Sequence, residues 1–180
     1  MYRYEDLTLR KFEFRDIPNK IEWINNAANN QFLHYDLPLE YEKTVQWFEK
    51  NKDREDRFDT VIEYNGEPIG LIGLLEIDKR NLKAEKYTVI GNTSIKGKGF
   101  GTRSSFLILA HAFEVLKLNK VVTYIEVGNE PSLKMNFKFG AHVEGYLRHD
   151  LMRDGKPLDR YVLGTYREEF KLPEGVYWED

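Results

Sequence analysis

Apolar and polar positions follow two different rhythms along this chain and switch between them often. Residues 7–14 (LTLRKFEF) alternate in twos and predict a first strand, whereas in 16–26 (DIPNKIEWINN) Ile17, Ile21 and Ile24 recur at helical spacing. A second helix is expected over PLEYEKTVQWFEKN, with Pro38 in its first turn and Tyr41, Val45 and Phe48 on one face. Residues 59–64 (DTVIEY) and 68–77 (PIGLIGLLEI) flank Asn65-Gly66, the dipeptide of a tight hairpin, and 84–90 (AEKYTVI) reads as a third neighbouring strand. Beyond a glycine-rich stretch, Phe106, Leu109, Ala110, Phe113 and Leu116 mark an amphipathic helix ending near Lys117 and Asn119. A β-branched strand follows over 121–127 (VVTYIEV), then a short helix over 131–138 that Gly140 would end. Two alternating segments, 142–152 and 158–166, close the chain around Asp154-Gly155. The order is β-α-α-β-β-β-loop-α-β-α-β-β, without repeat or linker.

Composition narrows the class. At 180 residues and 41% hydrophobic content the chain suits one core, so a single domain over 1–180 is expected. A formal net charge of -3 gives no global field to attract nucleic acid, and the absence of cysteine removes disulfides, thiolate catalysis and cysteine zinc sites. The start, MYRYEDLTLRKFEF, has no apolar leader core, and nowhere do about 18 apolar residues run together. A cytoplasmic protein without a membrane partner is expected. His34, His111, His142 and His149 lack the spacing of metal ligands, so no metal is expected.

The stretch TSIKGKGFGTRSS carries Gly97, Gly99 and Gly101 at every second position and runs into the helix. It does not fit a P-loop, because Lys96 stands five after Gly91 and Gly99 follows Gly97-Lys98. A dinucleotide fingerprint fails at Thr102 or Ser104, where glycine would be required. What remains is a set of exposed N–H groups at a helix N-terminus beside Lys96, Lys98 and Arg103, a place for phosphate or pyrophosphate. The bland alternative is a flexible surface turn with solvated basic residues.

In context, K-G-K-G-F-G resembles the acetyl-CoA pyrophosphate motif of the GNAT N-acetyltransferases, Q/R-x-x-G-x-G/A, with Lys96 in the Gln/Arg position and Gly99 and Gly101 matching. NEPSLKMNFKFGA is similar to N-x-x-[AS]-x-x-x-Y-x-K-x-G-F, with Asn129, Ser132, Lys138 and Gly140 in place but Asn136 for the usual Tyr and Ala141 for the usual Phe. The resemblance implies an α/β (α+β) acyl-CoA N-acyltransferase fold, a mixed central sheet of about seven strands flanked by about four helices. It also implies acetyl-CoA as cofactor. Strands 85–90 and 121–127 would splay so that main-chain groups, Val89 and Ile90 among them, pair with the pantetheine arm. The pyrophosphate would meet the backbone N–H groups of Lys98, Gly99, Phe100, Gly101 and Thr102, with Lys96 beside them and with Asn129, Ser132 and Lys138 on the pantetheine and adenosine side.

The implied activity is direct acetyl transfer to a primary amine, which attacks only when neutral. Glu85, Glu76 and Glu126 are the strand carboxylates that qualify as its base, Glu85 first; each also reads as a solvated or ion-paired carboxylate. Asn136 cannot protonate the departing thiolate, which leaves Tyr87, Tyr124, water, or unassisted departure. The acceptor would meet the connection NNQFLHYDLPLE, including His34 and Tyr35, and Glu126. A small-molecule amine, polyamine or nucleotide-linked amino sugar, is the first reading. The alternatives are a protein N-terminus, as in ribosomal-protein acetyltransferases, and a catalytically weak acyl-CoA-binding module. A homodimer is left open.

Overall fold

The computed structural model describes residues 1–178 apart from Lys96. Its strands are β1 (Tyr2–Tyr4), β2 (Leu7–Lys11), β3 (Phe58–Tyr64), β4 (Glu67–Asp78), β5 (Lys83–Ile90), β6 (Lys120–Glu126), β7 (His142–Arg153), β8 (Lys156–Tyr166) and β9 (Val176–Trp178). They form one nine-stranded sheet in the order β7-β8-β6-β5-β4-β3-β2-β1-β9. Among the described pairs every joint is antiparallel except β5–β6. The helices are α1 (Ile17–Asn25), α2 (Ala27–Asn30), α3 (Tyr41–Asn51), α4 (Phe100–Ala110, continuing as a π-helical turn to Val115) and α5 (Glu130–Phe137). The strands beyond the seven expected are β1 and β9, each of three residues and too short to show a period, and the extra helix, α2, is a four-residue turn.

The two faces of the sheet carry separate cores. Leu9, Ile62, Ile72, Leu74, Val121 and Ile125 pack with α4, whereas Val61, Leu71 and Val89 pack with Phe12, Ile17 and Trp23 on the α1–α3 side. That division follows the period of two in each strand. No helix among the described residues is long and apolar enough to cross a membrane.

Three boundaries differ from the sequence expectation, each for a visible reason. The first strand stops at Lys11, because Arg10 grips Asp16 through 2.7 and 2.8 Å bonds and the Glu13 amide donates to the same carboxylate, which turns the chain. The second helix starts at Tyr41 rather than Pro38: the Asn25 amide accepts from Leu39 N at 2.7 Å and donates to Leu39 O at 3.0 Å, holding that segment off the helix. The central helix starts at Phe100 and is not one-sidedly amphipathic, since Leu107, Ile108, Leu109 and Ala110 are all fully buried. Phe170, from the C-terminal segment, meets Phe106 and Phe113 there at ring separations of 6.1 and 5.2 Å.

Candidate active site

The β5–β6 ladder is short. Its register runs Lys83↔Lys120, Ala84↔Val121, Glu85↔Val122 and then ends, although β5 stays paired to β4 as far as Ile90 and β6 to β8 as far as Glu126. The facing edges of 86–90 and 123–126 are therefore unzipped from each other. A wedge opens toward the loop that leads into α4, with main-chain donors and acceptors on both sides and Val89 and Ile90 on one of them.

At the mouth of that wedge α4 begins without a side-chain cap, its N-cap being Gly99. Gly97 and Gly99 have φ of +81° and +84° in open space, so the backbone conformation alone calls for glycine there. Gly101 has a different reason: a Cβ on it would lie 2.6 Å from Met135 Sδ, so its role in the fold is to let α5 approach α4. The first-turn N–H groups of Phe100, Gly101 and Thr102 thus form an uncapped, electropositive helix end. Lys98 is exposed beside it, and Lys96 lies outside the described residues. Arg103 is committed elsewhere, to Glu5 and Asp6 at 2.7 and 2.6 Å. On α5, the Asn129 side chain caps the helix by accepting from Ser132 N at 3.3 Å, and Lys138 is exposed at its end.

The face of the sheet toward α1 and α3 carries the polar groups suited to an amine. Glu85 stands half-buried at the last rung of the ladder, and burial first, then the charge of Glu76, raises its pKa, with Arg160 opposing. Glu76 is exposed at a break in the β4–β5 register and has φ of +49°. Arg160 stacks 4.4 Å above the Tyr124 ring and is ion-paired to Asp150. Glu126, only 9% exposed, is held in bidentate fashion by Arg153 at 2.7 and 3.2 Å, and His34 Nε2 lies 3.5 Å from the same carboxylate. Burial and then Arg153 lower the His34 pKa, with Glu126 opposing.

Tyr87 and Tyr35 are not brought to the wedge. The Tyr87 ring lies over Gly73 of β4, and its hydroxyl donates to Asp59 of β3 at 2.6 Å, on the side away from β6. Burial and Asp59 raise its pKa well above the ordinary phenol value, so its proton stays in place. Tyr35 joins an aromatic group around Lys20 near the same Asp59, and the Lys20 ammonium sits 3.8 Å from the Trp47 ring centre and 5.5 Å from that of Tyr35. Burial pushes the Tyr35 phenol up to about 12 and the Lys20 amine down to about 8.

The opposite face of the wedge holds Asn136, which the sequence singles out, and two groups that sequence reasoning passed over, Lys86 and Thr123. Lys86, the first β5 residue past the ladder, is 2% exposed; its ammonium donates to Thr88 Oγ1 at 3.4 Å and Ser105 Oγ at 3.5 Å, and the Phe139 ring centre lies 5.1 Å away. Burial alone pushes its amine down to about 7. Among the described residues the Thr123 hydroxyl and the Asn136 carbonyl oxygen are buried without a hydrogen-bond partner. Each such group costs about 1–3 kcal/mol.

Residues 6–142 match the family described as "Acetyltransferase (GNAT) domain". The chain is 30% identical over 167 residues to the spermidine N(1)-acetyltransferase of Escherichia coli K12, an alignment covering 91% of this chain and 83% of that protein. It is 32% identical over 108 residues to the putative ribosomal N-acetyltransferase YdaF of Bacillus subtilis, covering 60% and 58%. The crystal structure of spermidine N-acetyltransferase from Vibrio cholerae in complex with CoA and spermine superposes with a TM-score of 0.85 at 23% identity, over 92% of this chain and 98% of that one. The open β5–β6 edges and the uncapped helix end thus have a family to explain them: the chain belongs to the GNAT acetyltransferases and is an acetyl-CoA-dependent N-acetyltransferase.

Proposed function

We propose that this acetyltransferase works in the cytoplasm on a polyamine, acetylating a terminal primary amine. The observation that carries the proposal is the Glu85 carboxylate at the vertex of the wedge, half-buried and under the field of Glu76. A carboxylate there attracts an ammonium and, with its raised pKa, removes the proton that blocks attack. Outward from Glu76, an open groove is lined by Glu55, Asp56 and Asp78 together with Arg54, Lys79 and Lys83. Lys79 is paired with Glu55, Arg54 with Asp56, and Asp78 accepts from the Arg80 and Asn81 amides, which leaves Glu76 for a further charge of an extended polycation. The spermidine acetyltransferase of E. coli, similar along most of the chain, supports the same class.

The residues fit acetyl-CoA. The uncapped N–H groups of α4 suit its pyrophosphate, with Lys98 adding charge; the unpaired edges at Val89 and Ile90 suit an extended amide-bearing arm, and Asn129, Ser132 and Lys138 border the same opening. Acetyl-CoA supplies an acetyl group activated as a thioester. Glu85 takes the acceptor's proton, while the β5 and β6 edges hold the reacting groups together, which is itself worth several kcal/mol of barrier. A protein N-terminus is the second reading, favoured by the fixed Arg153 guanidinium and His34 on the acceptor side and by the likeness to YdaF.

Thiol release measured with spermidine, spermine, a nucleotide-linked amino sugar and a peptide with a free N-terminus separates these. Spermidine or spermine should give the largest kcat/KM by at least about tenfold, a difference of about 1.4 kcal/mol in transition-state binding. A peptide preferred by that margin would move the acceptor to protein, and acetyl-CoA binding without turnover on any amine would overturn both readings.

A further inference from the structure

The acceptor side of the wedge has its base, but the reaction also releases a thiolate that needs a proton, and of the two tyrosines on that side Tyr124 has Arg160 stacked on its ring. Tyr87 is tied to Asp59 and points away. The other side differs in kind. Lys86 and Thr123 are the first residues of β5 and β6 beyond the last rung, Glu85↔Val122. The alternation of each strand turns both toward α4: Lys86 falls in line with Ala84 and Ile90, and Thr123 with Val121 and Ile125, all in the core on that face. Asn136 lies in the same layer, on α5, three residues before the Phe139 ring that the Lys86 ammonium approaches. The place where the strands part is therefore floored by a buried amine with no carboxylate partner among the described residues, a buried hydroxyl and a buried amide oxygen, the last two unpartnered. An apolar core has no use for such a set. Buried polar groups left unsatisfied are uncommon in folded proteins and point to a role that burial alone does not supply.

We propose that Lys86 donates the proton to the sulfur leaving the acetyl group, with Thr123 and Asn136 completing a polar floor under that sulfur. The inference rests on the acetyl-CoA assignment. The acceptor nitrogen forms its bond to the acetyl carbon, and the carbon–sulfur bond breaks with its electron pair going to sulfur. Lys86 Nζ gives one proton to that sulfur, and Glu85 takes the one shed by the acceptor nitrogen; solvent then restores both residues. Glu85 and Lys86 are adjacent on β5 and project to opposite faces, so the two transfers take place on opposite sides of whatever the wedge holds. The groups facing Lys86 are Thr88 on its own strand, Ser105 on α4, Thr123 across the wedge, and Phe139 after α5; no charged side chain contributes to its lowered pKa. With the amine near 7 and a thiol near 8.5, the transfer runs downhill, and roughly half of Lys86 carries its proton at pH 7.

The test is Lys86→Met, which keeps the length and removes the proton. Single-turnover acetylation should fall about 10–100-fold in Lys86→Met, and the alkaline decline that loss of the Lys86 proton imposes on the wild type should vanish. Affinity for acetyl-CoA should stay within about threefold. An unchanged pH profile overturns the proposal. Should Lys86→Met not fold, calorimetry on the wild type decides: the preference for coenzyme A over its desulfo analogue should change between pH 6 and 9, and a flat preference overturns the proposal. Failure of the wild type to bind either molecule would instead refute the cofactor assignment.

Discussion

A buried lysine with no carboxylate beside it carries a folding cost that can be worked out from the structure. Lys86 is 2% exposed, and burial moves its amine from 10.5 to about 7. The unfolded chain therefore binds a proton more readily than the native protein between about pH 7 and 10.5, and stability rises with pH across that window. Below about pH 7 the penalty is complete, at about 1.4 kcal/mol for each of about 3.5 pH units, or about 5 kcal/mol; above about pH 10.5 it is gone. Lys86→Met removes it. In urea titrations the variant should exceed the wild type by several kcal/mol at pH 6, with the gap falling by about 1.4 kcal/mol per unit above pH 7, to about 2 kcal/mol at pH 9. Every other ionisable group is common to both proteins, so the difference isolates Lys86. Lys20→Met should gain less. Its amine is lowered only to about 8, and the Trp47 ring 3.8 Å away already offsets part of the cost. A gap that does not vary with pH, or a Lys86→Met protein less stable than the wild type at pH 6, would show that the ammonium is not held at a cost.

Glu85→Gln should lower kcat/KM by about 10²–10⁴-fold near pH 7, with the deficit shrinking as pH rises and the acceptor amine deprotonates unaided, and with acetyl-CoA affinity unchanged. In the wild type the acid limb should lie above the ordinary carboxylate range, because burial and Glu76 raise the Glu85 pKa; equal rates for Glu85→Gln and wild type at every pH would remove Glu85 from the reaction. Gly99→Glu and Gly101→Glu should both lose acetyl-CoA binding in calorimetry and both lose some stability, the first because its φ of +84° disfavours a side chain and the second because its Cβ meets Met135 Sδ at 2.6 Å. Undiminished affinity in Gly99→Glu would dispose of the helix N-terminus as the anion site.

What the sequence made legible was whatever depends on neighbours close in the chain. Asn65-Gly66 between two alternating runs predicts the β3–β4 hairpin, and that pair is present with Tyr64 opposite Glu67. The glycine loop opening a helix is equally local, and it is where the structure places an uncapped α4. The site is legible only in part, because its chemistry depends on distant partners. Arg103 reads as a phosphate ligand until Glu5 and Asp6 arrive from the other end of the chain. Tyr87 reads as a candidate acid until Asp59 takes its hydroxyl. In AEKYTVI a lysine between Ala84 and Thr88 looks like an ordinary solvated side chain; it is buried because Ser105 on α4 and Phe139 after α5 close over it. The sequence alternation gives the face on which Lys86 lies, and only tertiary packing says that the face is covered.

The one parallel joint among the described strands ties these features together. Antiparallel neighbours can be joined by tight turns, but β5 and β6 run the same way and need a crossover, which is α4. The crossover must leave the C-terminal end of β5, so the N-terminus of α4 falls at the end of the sheet where the two strands have parted. The ladder that closes at Glu85↔Val122 and the helix that opens at Gly99 are consequences of one topology. Between them lies a slot with main-chain hydrogen-bonding groups along its edges and positive potential at its mouth. A strand entering that slot has its two faces exposed to different surroundings: carboxylates and aromatic rings toward α1 and α3, buried hydroxyls and an amine toward α4 and α5. Acetyl transfer from a thioester to an amine needs a proton removed at one end of the breaking bond and supplied at the other. Successive residues on one strand, Glu85 and Lys86, offer those two functions because a β-strand sends neighbouring side chains to opposite faces.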